Sequence, residues 1–99
     1  AEFNKGEPGP GRTVANWLVG KKIACVGADS WATEAVPGED ANRPFECHAI
    51  WMTMNGIYNI ENQNLEDLSK DKVYEFAWSF NPLPLKGATG SPGNSVAIA

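Results

Sequence analysis

The sequence predicts an α/β domain of about four strands and two or three short helices, and three observations carry that reading. Segments with helical spacing of apolar residues alternate with short β-branched and aromatic runs. Gly and Pro clusters punctuate the alternation at nearly every change of period. With 99 residues, the chain has room for one modest core, burying roughly 60 to 70 % of its unfolded surface, so residues 1–99 read as a single domain.

The elements follow in order. Gly6-Glu7-Pro8-Gly9-Pro10-Gly11 is loop, because Pro removes backbone donors and Gly frees the dihedrals. Thr13 is placed to cap a short helix in which Val14, Trp17 and Leu18 share a face, and Gly20 stands where a left-handed C-terminal residue is wanted. Lys21 and Lys22 lead into a buried strand ending at Gly27. Residues 28–44 have no sustained periodicity and read as a long loop, a class that is usually functional or disordered. Residues 45–54 are helical and stop at Asn55-Gly56; Ile57-Tyr58-Asn59-Ile60 is a short strand that delivers Glu61 at its end. Asn64 caps a helical turn through Leu68, and residues 73–80 are rich enough in β-branched and aromatic side chains to be the longest strand. Asn81-Pro82-Leu83-Pro84-Leu85 is extended, residues 87–94 form a Gly-rich loop, and Val96-Ala97-Ile98 is a final strand.

Composition excludes several classes. Hydrophobic residues make up 42 % and charged residues 20 %, a globular balance that argues against a disordered chain. The apolar runs are too short to span a bilayer, so no membrane association is expected. Twelve acidic and eight basic residues give a net charge of −4; the basic ones are scattered, which speaks against nucleic-acid binding. Cys25 in an apolar strand and Cys47 beside His48 read as free thiols, which fits a cytoplasmic location. The start has neither the charged region nor the apolar region of a signal peptide, and Ala1-Glu2-Phe3 is compatible with a cloning remnant.

Few residues present themselves for chemistry. His48 is the single histidine, either a functional group or a hydrogen-bonded helix residue. Glu61 interrupts the end of an apolar strand, either reaching a cleft or closing the strand in solvent. Asp29 follows the first strand and is either a site residue at the sheet edge or an Asx-turn with Ser30. The segment Gly87-Ala88-Thr89-Gly90-Ser91-Pro92-Gly93 lacks the Lys of a phosphate loop, and Ser91 lacks the flanks of a nucleophile elbow. Of the four tryptophans, Trp17, Trp51 and Trp78 lie in periodic segments and read as core; Trp31 in the long loop is a lid over a pocket or packs in a larger parent.

Several ordered strings carry a resemblance: Glu7-Pro8-Gly9 before the helix ending Trp17-Leu18; Val26-Gly27-Ala28-Asp29-Ser30-Trp31-Ala32 with Glu34; His48 followed by Gly56-Ile57-Tyr58 and Ile60-Glu61-Asn62; Tyr74-Glu75-Phe76; and Pro84-Leu85-Lys86-Gly87-Ala88-Thr89-Gly90-Ser91-Pro92. Together they span nearly the whole chain, and their order is similar to the C-terminal part of the cyclase family, which includes kynurenine formamidase and isatin hydrolase. The resemblance implies a swivelling β/β/α barrel and hydrolysis of cyclic or linear amides, lactones and related esters with zinc or manganese. It implies that His48 and Glu61 complete the metal site and that Asp29, Ser30 and Trp31 wall the substrate pocket. The family signature His-x-Gly-Thr-His-x-Asp-x-Pro, which supplies the main ligands from the N-terminal half, does not occur here. The resemblance therefore implies a C-terminal portion, inactive by itself, that is completed by the N-terminal half or by self-association. A small-molecule or partner-binding domain without catalysis is the rival expectation.

Overall fold

The computed structural model describes Glu2 and residues 5–99. Ala1, Phe3 and Asn4 lie outside the described residues, and with them the reading of the first three positions. The chain is mixed α/β, with four strands in two small sheets among the described residues. It divides into two compact units, Ala1–Gln63 and Asn64–Ala99.

The first unit opens with a loop and helix α1, Arg12–Gly20. Thr13 is not the cap: the helix starts one residue earlier, with Gly11 at the N-cap. Glu39 from the long loop accepts the Arg12 backbone N–H at 3.0 Å, so a distant carboxylate satisfies a first-turn donor that sequence assigned to a local hydroxyl. Gly20 stays in the helix, and Lys22, with φ 56°, takes the left-handed position instead. Strand β1, Cys25–Gly27, pairs in parallel with β2, Tyr58–Ile60, in the register Cys25 to Tyr58 and Gly27 to Ile60. Parallel strands need a crossover, and here it consists of the long loop and α2, Glu46–His48, which runs on into a π-helical turn at Ala49–Thr53.

That π turn settles how the core packs. The Met54 N–H bonds back five residues to the Ala49 carbonyl at 3.0 Å, and the wider turn brings the consecutive side chains Ile50 and Trp51 both into the interior. Ala15, Cys47, Ile50, Trp51 and Ile57 form the core, with Val19, Ile23 and Val26 against it. Of the three tryptophans expected in the core, only Trp51 is fully buried. Trp17 is 58 % exposed and Trp78 41 %; α1 buries Ala15 on its inner face and turns Trp17 outward, beneath the ammonium of Lys21. The helix is too short for a wide apolar stripe, so the smallest residue makes the close contact.

The second unit holds α3, Glu66–Asp71, with the Glu66 N–H bonded to Asn64 Oδ1 at 3.2 Å. Its hairpin joins β3, Ala77–Pro82, to β4, Gly93–Ile98, in antiparallel register. The strand expected at residues 73–80 begins later and runs further. Lys72 is left-handed and the Val73 N–H bonds back to the Leu68 carbonyl at 2.9 Å, so Val73 closes the helix turn and residues 73–76 lie outside the ladder. The final strand starts at Gly93, inside the segment expected to be loop, because every residue of 77–82 finds a partner in 93–98. Trp78 and Phe80 stack with centroids 5.8 Å apart on one face of this ribbon.

Candidate functional site

The site lies in the first unit, at the C-terminal ends of the parallel strands, the edge where α/β proteins collect functional groups. β2 ends at Ile60 and releases Glu61 there; α2 ends at His48. His48 Nε2 and Glu61 Oε1 stand 3.0 Å apart. The Asn59 side-chain Nδ2 donates to Glu61 Oε1 at 2.9 Å and lies 3.0 Å from His48 Nε2. Thus the two residues singled out from the sequence as a pair are brought together.

The other face of the imidazole meets Glu34, a residue of the long loop. Its Oε1 contacts His48 Nδ1 and accepts the His48 backbone N–H at 2.9 Å, while Oε2 accepts the Cys47 N–H at 3.1 Å. Glu34 is 3 % exposed, and a buried carboxyl group is costly unless its oxygens find partners; the backbone N–H groups of Cys47 and His48 supply one to each oxygen. Thr33 just before it has φ 59° and a buried hydroxyl with no hydrogen-bond partner. A β-branched residue in the left-handed region costs about 1–3 kcal/mol, and such strain collects at functional sites.

A second carboxylate braces the same loop. Glu7 accepts the N–H of Trp31 at 3.0 Å and of Ala32 at 2.7 Å, and its backbone bridges to Val36. Gly9 allows the N-terminal segment to lie directly on the loop: a Cβ there would stand 2.5 Å from the Glu34 carbonyl carbon and 2.7 Å from the Ala35 nitrogen. The sequence strings contained Glu7, Gly9 and Glu34, yet none drew a role, because a carboxylate in an aperiodic loop looks like any solvated one.

The residues expected to wall a substrate pocket are placed unevenly. Asp29 is exposed just past β1. Ser30 is half-buried and its carbonyl accepts the Asn62 N–H at 3.0 Å, which ties the segment after β1 to the residue after Glu61. Trp31 meets Phe45 edge-on at 6.2 Å, Phe45 meets His48 at 5.5 Å, and His48 leans on Trp51 at 5.8 Å. An aromatic run therefore links the long loop to the imidazole and the core. Cys25 and Cys47 are both free thiols. Burial, with Glu34 next, pushes the Cys47 thiol up to about 12, and burial raises Cys25 as well.

The resemblance implies zinc or manganese, and the donor set tests the fit. A nitrogen and a carboxylate oxygen 3.0 Å apart match adjacent ligands of one ion bound at about 2.0–2.2 Å. His48 and Glu61 would fill two positions of such an ion; no group of three His, Cys, Asp or Glu side chains gathers among the described residues. No described helix is long and apolar enough to cross a membrane. Comparison with protein-family models, curated proteins and solved structures finds no match for this chain.

Proposed function

We propose that this chain is the C-terminal portion of a metal-dependent hydrolase of cyclic amides, lactones or related amides and esters, the class that the cyclase resemblance implies. The reading rests on one observation above the others, the 3.0 Å approach of His48 Nε2 to Glu61 Oε1 at the C-terminal edge of the parallel strands. In this reading the parallel pair belongs to a swivelling β/β/α barrel. The remaining ligands come from another polypeptide segment, either the N-terminal half or a second copy.

The chemistry that zinc or manganese would supply here is an activated water and polarisation of a carbonyl. Each protein group has a separable task. His48 and Glu61 would hold the ion, and Asn59 orients the Glu61 carboxylate through its 2.9 Å hydrogen bond. The aromatic run through Trp31 and Phe45 gives the imidazole an apolar flank against which a planar amide or lactone ring can lie. Asp29 and Ser30 stand at the rim.

Titration calorimetry of the purified chain with Zn²⁺ and Mn²⁺, repeated on His48→Ala and Glu61→Ala, tests the reading. Binding that either substitution abolishes supports it; binding indifferent to both substitutions removes it. A second reading, a metal-free domain that self-associates around a small ligand, is favoured by Val14, Trp17, Met54 and Tyr58, all large apolar side chains exposed on the first unit. A dimer in sedimentation that takes up no metal selects that second reading.

A further inference from the structure

We propose that Asn55–Gly56 is a modification site, a spontaneous deamidation site that the fold keeps closed and whose reaction removes the cap from the π-helical turn that seats the core. The reaction needs only water and these two residues; no metal and no hydrolytic activity enters it.

Sequence sets the reactive pair. The backbone nitrogen of the residue after an Asn stands within reach of the side-chain carbonyl carbon, and Gly obstructs the approach least because it has no Cβ. Asn55–Gly56 is the one Asn-Gly pair in the chain, and both residues are exposed to water. In the reaction the Gly56 nitrogen gives up its proton and bonds to Asn55 Cγ. The Cγ–Nδ2 bond breaks, and the nitrogen leaves as ammonia with that proton. Water then opens the cyclic imide at either of its carbonyls, leaving an aspartate or an isoaspartate in place of Asn55.

The folded turn holds both reacting groups away from this course. The Gly56 N–H donates to the Met52 carbonyl at 2.9 Å, which favours the protonated amide. The Asn55 side chain is anchored too: its Nδ2 donates to the Ile50 carbonyl at 2.7 Å, five positions back. Attack requires the N–H to be released and the side-chain amide to swing over the Gly56 nitrogen, so both bonds break first. The reaction therefore runs from the opened turn, and its rate falls with the fraction of time the turn is open.

Those same bonds are the cap. Carbonyls of consecutive residues are taken in order: Ala49 by the Met54 N–H at 3.0 Å, Ile50 by Asn55 Nδ2, Trp51 by the Ile57 N–H at 2.8 Å and Met52 by the Gly56 N–H. Ile50 and Trp51 are the side chains this turn carries into the core. An aspartate replaces the Nδ2 donor with a carboxylate oxygen, acceptor against the Ile50 carbonyl, and puts negative charge at a helix C-terminus, where the dipole disfavours it. An isoaspartate adds a methylene to the main chain and displaces the Gly56 and Ile57 N–H groups from their carbonyls. Either product leaves the turn beneath Ile50 and Trp51 uncapped.

Peptide mass spectrometry of the full-length chain, incubated at mildly alkaline pH in buffer and in guanidinium chloride, follows the conversion of Asn55. Loss of the amide is expected in denaturant, and at least about tenfold more slowly in buffer. A rate in buffer equal to or above that in denaturant, or an Asn55 that survives in denaturant, overturns the proposal. Asn55→Asp reproduces one product and is expected to lower the ratio of folded to unfolded chain about 5- to 30-fold, read from urea unfolding. Stability equal to wild type overturns the capping role. Should that variant not fold at all, the two wild-type rates still decide whether the turn protects the site.

Discussion

Glu34 receives the His48 backbone N–H at 2.9 Å and also contacts the ring Nδ1 of the same residue, so one carboxylate oxygen fixes both where His48 begins and how its imidazole is turned. The contact spans fourteen positions of sequence, from the long loop to the end of α2. Everything that holds the loop against the helix therefore bears on the imidazole.

Gly9 is the most sensitive of those supports. A methyl at residue 9 would stand within 3 Å of the backbone of Glu34 and Ala35, closer than side-chain carbons approach backbone atoms. Gly9→Ala is expected to cost about 1–3 kcal/mol of stability, as overpacking usually does, and to move the His48 ring resonances. A urea unfolding curve with the ring spectrum checks both. Wild-type stability together with an unmoved ring would mean that residues 5–11 do not lie on the loop.

Cys47 makes stability depend on alkaline pH. Its folded-state pKa is pushed up to about 12 from an ordinary 9.0, mainly by burial. Between those values the unfolded chain releases the thiol proton and the folded chain keeps it, so stability falls as pH rises, by at most about 1.4 kcal/mol per pH unit. Below pH 9 the contribution is constant. Comparing unfolding free energies of wild type and Cys47→Ala from pH 8 to pH 11 isolates the effect, since Cys25 and the lysines are common to both. The wild type should lose ground to the variant as pH rises; a constant difference would show that the folded state accommodates the thiolate.

Trp51 and Trp17 should respond oppositely to truncation. Trp51 is fully buried in the core, and Trp51→Ala is expected to cost about 3–5 kcal/mol. Trp17 is 58 % exposed under the Lys21 ammonium, so Trp17→Ala should stay within about 1 kcal/mol of wild type. Thermal unfolding of the two variants checks the contrast, and equal losses would mean that α1 turns a different face inward.

Sequence alone determined the local grammar of this protein. The end of β1 at Gly27, the left-handed stop at Gly56 and the delivery of Glu61 just past β2 are where short-range rules put them, and the helical run expected over residues 45–54 is found over 46–53. Those features depend on neighbours within about five residues, where Gly dihedrals and side-chain period dominate. The pairing of His48 with Glu61 was expected only from the resemblance to the cyclase family, since taken one at a time each residue had a structural reading as well as a functional one.

Tertiary structure alone decided the rest, because each remaining feature is a contact between residues that share no local signal. Glu39 rather than Thr13 serves the first turn of α1; Ala15 rather than Trp17 faces the core; register with β4 moves β3 to Ala77–Pro82. Glu34 is the plainest case. Nothing in its neighbourhood distinguishes it from Glu39 or Asp40, and it becomes the partner of His48 only once Glu7, Gly9 and the strained Thr33 turn the loop inward against the head of α2. A buried carboxylate is stable only where several donors converge on it, and convergence is a property of the folded chain.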